Sequence, residues 1–148
     1  MPLDPVLKVK RLRPAARLPQ RATPGSAGLD LYACIEEGAQ IDIGPDPTRI
    51  PTGIALELPP GYEAQVRPRS GLSAQGVAVT FGTIDPDYRG EVMVTTYVFG
   101  SRSSFTVRHG DRIAQLVVAR LANLDVQEVN DLSKTERGVG GHGSSGGL

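Results

Sequence analysis

The segment GTIDPDYRGE, residues Gly82–Glu91, decides the fold, because it joins two short apolar segments, Val77–Phe81 and Glu91–Phe99. Glycine and proline within it interrupt regular structure, and both flanks are too short for typical helices. We therefore predict two strands joined by a turn. The simplest interpretation of the charged residues is a solvated hairpin end. The functional alternative is that a carboxylate, Asp85, polarises a water molecule.

The same alternation of short apolar runs and turns continues along the chain. Its 18 glycines and 12 prolines leave no long helical periodicity. Further strands are predicted at Val6–Leu12, Leu29–Ile35, Ile41–Ile43, Gly53–Leu58, Tyr62–Arg67, Phe105–Val107, Arg112–Arg120 and Asp125–Val129, and a short helix around Leu72–Gln75. This pattern predicts an all-β sandwich, barrel or jelly roll. We assign it to residues 1–130.

The composition limits the possible partners and compartments. The chain has 148 residues, and its 16 basic side chains balance 16 acidic ones. A net charge of zero argues against nucleic acid and anionic membranes as partners. The single cysteine, Cys34, excludes an internal disulfide and lies in an apolar run, so we expect it in the core. No signal peptide or membrane span is recognisable, which favours a cytoplasmic location.

Residues 131–148 form a glycine-rich tail. By composition alone it is a frayed terminus. Gly138–Gly143 matches G-x-G-x-x-G and Gly143–Gly147 matches G-x-S-x-G, but neither has the strand and helix that those motifs need. Glycine amides, the hydroxyls of Ser144 and Ser145 and the Arg137 guanidinium could nevertheless close over a phosphate. The tail is therefore a candidate lid, loose when empty and ordered over a ligand.

Three further segments combine polar groups with turns or strand ends. Pro68–Ser73 (PRSGLS) offers a guanidinium, a hydroxyl and amides to a phosphate, or is an ordinary polar turn. Ala27–Ala33 encloses Asp30 among apolar residues, where a carboxylate needs a partner, a metal or backbone hydrogen bonds. Gly110–Leu116 leads into an apolar strand that Gln115 interrupts.

In their order and spacing, these segments resemble the five motifs of the trimeric dUTPase family. They are Ala27–Ala33, Pro68–Ser73, Gly82–Glu91, Gly110–Leu116 and Arg137–Gly146, and PRSGLS and GTIDPDYRGE are the most specific. The resemblance implies a jelly-roll-like β subunit of the dUTPase β-clip type. It also implies a homotrimer with three active sites, each built from all three chains, with the tail arriving from a neighbour.

The resemblance also implies an activity and residue roles. The chain would hydrolyse dUTP to dUMP and pyrophosphate, keeping uracil out of DNA and supplying dUMP for thymidylate synthesis. Asp85 would activate the water that attacks the α-phosphorus, Tyr88 would exclude a 2′-hydroxyl, and Asp30 would bind Mg²⁺ through water. The implied substrate-binding residues are Arg69, Ser70, Gly71, Val79, Gly82, Thr83, Ile84, Tyr88, Met93, Gln115, Arg137, His142, Gly143 and Ser144.

Two positions depart from the family pattern. His142 stands where the family usually has a phenylalanine that stacks on uracil, so we expect slightly weaker closure of the tail. Val79 stands where several relatives have asparagine, so we expect backbone groups around Ile84 and Met93 to recognise uracil and to leave no room for the methyl group of thymine.

Three other functions remain open from the sequence. A dCTP deaminase shares the fold, but usually lacks the Tyr-Arg-Gly of Tyr88–Gly90 and the arginine-plus-glycine tail; ammonia release from dCTP would identify one. A nucleotide-sensing protein would not need Asp85, Tyr88 and Arg137 together. A structural jelly-roll trimer would leave both Arg-Ser-Gly clusters unexplained and would bind dUTP weakly.

Overall fold

The computed structural model describes residues 4–143. The described elements, in chain order, are β1 (Lys8–Arg11), β2 (Gly28–Tyr32), β3 (Gln40–Ile43), β4 (Thr48–Glu57), β5 (Tyr62–Arg67), α1 (Ser70–Ala74), β6 (Val77–Val79), β7 (Gly82–Ile84), β8 (Glu91–Val98), β9 (Phe105–Arg108) and β10 (Arg112–Arg120). Within this range, no helix is long and apolar enough to cross a membrane.

The strands form two four-stranded sheets and one two-stranded sheet. The strand orders are β1-β4-β8-β6, β2-β10-β5-β7 and β3-β9, and every pairing is antiparallel. Along β8 the side chains alternate regularly between half-buried and buried, as expected for a strand with one face on the core. A single apolar cluster joins Ile50 and Val94 of the first large sheet to Leu31 and Leu116 of the second. The predicted all-β fold is confirmed.

Several predicted elements match the structure closely. Tyr62–Arg67 and Arg112–Arg120 are strands with the predicted bounds. The helix occurs at Ser70–Ala74, two residues before its predicted start. Cys34 is buried, as expected.

Three predictions about strands were wrong. β4 begins at Thr48, well before Gly53, because Pro51 is accommodated where β4 pairs with β8 next to a shift in register. Gly82–Ile84, predicted as part of a turn, is a strand because β5 offers it an edge. Asp125–Val129 is not a strand: none of residues 4–143 pairs with it, and Val126 is fully exposed.

Gly53 lies at a crowded point in β4 with a left-handed backbone. Its φ is 72°, and a Cβ there would lie 2.8 Å from both the Cβ of Ala16 and the Sγ of Cys34. Its N–H donates to Glu91 Oε2 at 2.9 Å, and its carbonyl accepts from the Leu12 N–H at 2.7 Å. Gly53 therefore joins β4, the segment after β1 and the start of β8.

We predict that Gly53→Ala destabilises the protein more than Gly61→Ala does. Gly61 has a similar φ of 82° but no atom near the position of an added Cβ, so its substitution costs about 1 kcal/mol for backbone conformation alone. Gly53→Ala adds overlap with buried atoms, which costs about 1–3 kcal/mol more. Urea unfolding of both variants measures the difference, and equal destabilisation would contradict the crowding described at Gly53.

Candidate functional site

The first group of predicted site residues surrounds a pocket beside the hairpin, which we call the hairpin pocket. Its volume is about 270 Å³, and its lining residues are Arg49, Val66, Gly82, Thr83, Ile84, Asp85, Tyr88, Glu91, Val92 and Met93. Val66, Ile84 and Val92 are buried and give the pocket an apolar side. Together with the nearby backbone of Gly82–Ile84, this lining suits a small ring that also offers hydrogen-bonding groups.

The connection between β7 and β8 presents Asp85 and Tyr88 on one tight turn. Ile84 is buried, so β7 is held on the core up to the residue before Asp85, whose side chain is exposed. The Tyr88 N–H donates to the Asp85 carbonyl at 3.0 Å, which closes a β-turn with Pro86 at the second position that proline favours. The Tyr88 hydroxyl donates to the Glu91 carbonyl at 2.9 Å. The turn thus carries an accessible carboxylate next to an aromatic ring fixed at its hydroxyl end.

Glu91 is held by an ion pair with Arg13. Arg13 Nη2 lies 2.5 Å from Glu91 Oε2 and Nη1 lies 3.2 Å from Oε1, so both carboxylate oxygens face the planar guanidinium. The hydrogen bond from Arg13 is the main reason that the pKa of Glu91 lies below its usual range, with the Gly53 N–H contributing as well. The same pairing raises the pKa of Arg13.

A second group, which we call the arginine cluster, consists of Asp30, Arg69, Arg112 and Gln115. Asp30 Oδ1 lies 3.5 Å from Arg69 Nε, and Oδ2 lies 3.8 Å from Arg112 Nη1. Gln115 Nε2 donates to the Pro68 carbonyl at 2.9 Å, which fixes the Gln115 amide beside the turn that carries Arg69. Two guanidiniums around one carboxylate leave a net positive charge that suits an anion such as phosphate.

Asp30 is the acidic member of the arginine cluster. Residues 4–143 contain no group of three or more His, Cys, Asp or Glu side chains placed to hold a metal. A single carboxylate, already close to two arginines, fits an ion that keeps most of its waters and takes its other oxygens from a ligand. Mg²⁺ is such an ion, since it loses its waters reluctantly.

Gly28 leaves space for a side chain of β10 where β2 meets that strand. A Cβ at Gly28 would overlap the side chain of Gln115. The glycine therefore leaves room for the Gln115 amide, which the sequence alone did not reveal.

Within one chain, Asp85 and the arginine cluster lie near opposite ends of β5, although the hairpin pocket extends along β5 as far as Val66. Ile84 pairs with Ala64, so Asp85 lies beside residue 63 near the start of β5, whereas Arg69 comes two residues after its end. From residue 63 to the end of β5 at Arg67 the offset is four residues, or about 13 Å at the usual rise of a strand, and Arg69 lies further along the chain. One chain therefore does not bring Asp85 to Arg69 and Ser70.

The tail forms a third, separate group. From residue 122 to residue 143, the hydrogen bonds that the structure describes lie within the tail. Arg137 Nε donates to the Gly140 carbonyl at 2.7 Å, and the Gly138 N–H donates to Thr135 Oγ1 at 3.0 Å. This local turn occupies Nε, and none of residues 4–143 accepts a hydrogen bond from the terminal guanidinium nitrogens. His142 has a φ of 51°, and Ser144 lies outside the described residues.

Other predicted site residues fall in different places. Ser70 and Gly71 begin α1 beside Arg69 and are exposed. Val79 is 7% exposed, belongs to the apolar core and does not line the hairpin pocket. The sequence interpretation gave no role to Arg49 or Glu91, both of which line that pocket. Glu91 was part of the quoted segment, but its partner Arg13 is distant in sequence and carried no signal.

Comparisons with known proteins show which family this chain resembles. The family model described as dUTPase matches residues 15–146. The chain is 49% identical to a deoxyuridine 5′-triphosphate nucleotidohydrolase of Anaplasma marginale, covering 95% of this chain and 99% of the relative. A protein of the same name from Syntrophotalea carbinolica is 48% identical, with 95% and 96% covered.

Solved structures show the same similarity. The Staphylococcus bacteriophage 80alpha dUTPase with dUPNHPP superposes with a TM-score of 0.83 at 27% identity, covering 95% of this chain and 98% of that one. A point mutant of the dUTPase from phage phi11 of S. aureus, described as coordinating a structural Mg(II) ion, shares the fold with a TM-score of 0.74 at 22% identity, covering 85% and 97%.

We predict that Glu91→Gln destabilises the protein at neutral pH and that the difference from wild type disappears in acid. Because the pKa of Glu91 is lowered in the folded state, its stabilisation is present above the unfolded pKa. It is lost as the pH falls through the folded pKa. Urea unfolding between pH 7 and the acid limit of reversible unfolding measures this.

The matched control for that measurement is Glu57→Gln. Glu57 also has a lowered pKa, mainly from its hydrogen bond with Lys8, but both side chains of this pair are well exposed. Exposed ion pairs contribute little, so we expect a smaller effect. A constant difference between wild type and Glu91→Gln at every pH would contradict the role given to the Arg13 ion pair.

Proposed function

Because the chain belongs to the dUTPase family, we propose that it hydrolyses dUTP to dUMP and pyrophosphate. The observation that carries the proposal is the separation of the two groups along β5. Each group offers the chemistry for one part of a nucleoside triphosphate. The hairpin pocket suits the uracil and the sugar, and the arginine cluster suits the phosphates.

We propose that the groups meet between copies in a homotrimer. The hairpin pocket of one copy faces the arginine cluster of a second, and the tail of a third closes the site. The separation of Asp85 from the arginine cluster along β5 supports this, because the innermost phosphorus of dUTP directly follows the sugar and must lie near Asp85. The described hydrogen bonds of the tail join tail residues to one another, which is compatible with binding of the tail to another copy.

In this site, Asp85 is the catalytic residue. Its exposed carboxylate accepts a proton from a water molecule as the water oxygen attacks the α-phosphorus. The bond from that phosphorus to the bridging oxygen breaks, and pyrophosphate leaves. Arg69 and Gln115, with Ser70, hold the phosphates of the leaving group, and Arg137 offsets their charge as the tail closes.

Mg²⁺ bound to the triphosphate offsets negative charge on the leaving group when present. We propose that Asp30 holds its waters. The arginines beside Asp30 then serve two purposes, since they bind phosphate oxygens and keep the carboxylate in place.

Selectivity for the deoxynucleotide and for uracil follows from the hairpin. The Tyr88 ring, fixed through its hydroxyl, packs against the deoxyribose where a 2′-hydroxyl would need space. Backbone groups of Gly82–Ile84 and the strand around Met93 contact uracil, since Val79 is occupied in the core. His142 and Gly143, with Ser144, complete the cover over the base and phosphates. The activity removes dUTP before uracil enters DNA and yields dUMP, the precursor of thymidylate, in the cytoplasm.

We predict that, with Mg²⁺, the protein releases pyrophosphate from dUTP far faster than from dTTP, UTP or dCTP, and that Asp85→Asn removes nearly all of this turnover. Loss of a general base lowers the rate by about 10²–10⁴-fold. Asp87→Asn is the matched control, because Asp87 lies on the same exposed loop but does not line the hairpin pocket. Undiminished turnover by Asp85→Asn, or ammonia release from dCTP, would overturn the proposal.

We also predict that deleting residues 137–148 removes most of the activity while the fold and oligomeric state persist. The tail makes no described hydrogen bond to the β domain, so its loss leaves the core intact. Circular dichroism, light scattering and steady-state kinetics measure the three properties. The full-length variant Lys134→Gln, which removes a tail cation outside the proposed lid, retains activity, and a fully active truncated protein would rule out the lid.

A further inference from the structure

We propose that Arg13, which lies outside all five family-like segments, is a positioning residue that acts through Glu91 on the Tyr88 ring and so on discrimination against a 2′-hydroxyl. The inference rests on the proposed function, because it assigns a distant cause to the selectivity of that site. It concerns where the ring is held, and it gives Arg13 no contact with the substrate.

Glu91 connects Arg13 to Tyr88, because its side chain contacts Arg13 and its backbone contacts Tyr88. Its carboxylate accepts hydrogen bonds from Arg13 and from the Gly53 N–H. Its backbone carbonyl accepts the hydrogen bond of the Tyr88 hydroxyl. A change in how the Glu91 side chain is held therefore bears on the atom that fixes the end of the tyrosine ring.

The Arg13 end of this connection is itself rigid. The Ala16 N–H donates to the Arg13 carbonyl at 3.1 Å, and Ala16 is buried in the core. One residue earlier, the Leu12 N–H donates to the Gly53 carbonyl at 2.7 Å. Backbone and side chain thus form a closed ring of hydrogen bonds from Leu12 to Gly53, on to Glu91 and back to Arg13.

The Tyr88 end has little other support. Tyr88 is 45% exposed, and its hydroxyl makes its one described hydrogen bond with Glu91. The ring packs on Gly90, where a Cβ would overlap the phenol. A ring held by these contacts, without burial in the core, depends on the position of the backbone at residues 90 and 91.

Removing the guanidinium would leave the Glu91 carboxylate with backbone groups of Thr52 and Gly53 as its remaining described partners. The carboxylate would then turn toward solvent and toward the hairpin pocket, whose lining includes Glu91. We expect the start of β8 to loosen and the Tyr88 ring to sample more positions. Space for a 2′-hydroxyl would appear, so UTP would compete better with dUTP.

The experiment compares Arg13→Gln with wild type for the ratio of kcat/KM on dUTP to kcat/KM on UTP, at a temperature well below unfolding for both proteins. We expect the ratio to fall by about three- to tenfold, as for loss of one coupled contact near a site. Arg11→Gln is the matched control. It removes a cation at the end of β1, two residues before Arg13, and Arg11 has no ion pair with any of residues 4–143. It leaves the ratio unchanged.

Two further variants separate positioning from general stability. Arg13→Lys keeps the charge but not the planar fork, so we expect it to restore part of the ratio. In a Glu91→Gln background, adding Arg13→Gln changes the ratio little further, because the connection is already broken.

The outcomes distinguish this inference from the proposed function. If wild type does not turn over dUTP, the proposed function fails. If wild type is active and Arg13→Gln lowers the melting temperature but leaves the dUTP-to-UTP ratio intact, only the positioning role of Arg13 is overturned. A dUTP-to-UTP ratio for Arg13→Gln that is no lower than the ratio for Arg11→Gln would overturn it as well.

Discussion

The pairing of β5 with both β7 and β10 is the constraint on which the rest of the structure depends. On one side it sets β7 so that Asp85 follows near the start of β5, and on the other it sets Gln115 beside the turn that follows the end of β5. Antiparallel registers of this kind cannot slip by one residue without reversing the buried face. The separation of Asp85 from the arginine cluster is therefore fixed by the core. In the proposed function, these are two partial sites of one chain, and contact between copies would complete one.

The same core also determines the chemistry of each partial site. β7 is buried at Ile84 and then ends, which leaves the next carboxylate exposed on a tight turn. β10 carries Gln115 out of an otherwise apolar strand, and Gly28 on the neighbouring strand leaves room for it. Arg69, Asp85 and Arg112 lie at or beyond strand ends, where water and ligands reach them, and the strands themselves supply rigidity. Gly53 adds to this rigidity, because its backbone hydrogen bonds connect the segment after β1 with Glu91 at the start of β8.

Much of the fold and of the site was predictable because the signals are local. Short apolar segments next to turn residues gave β5 and β10 their bounds, and the charged segment after β7 predicted Asp85 and Tyr88 as site residues, which the structure places around one pocket. Long-range pairing was not predictable. β7 is a strand because β5 provides an edge, and Asp125–Val129 is not one because no described strand does. Val79 faces the core because of its register with Thr96. Arg13 and Glu91 are 78 residues apart in the sequence, so only the folded structure reveals their contact.

The most direct test of the central claim is complementation between two inactive variants. Asp85→Asn and Arg69→Gln are purified separately, unfolded together in equal amounts, refolded, and assayed for dUTP hydrolysis. If Asp85 of one copy works with Arg69 of another, random assembly leaves about a quarter of the sites with both native residues, so activity returns to roughly that fraction of wild type. If both residues of a site came from the same chain, every site would carry one substitution. A refolded mixture no more active than its two parents would contradict the account.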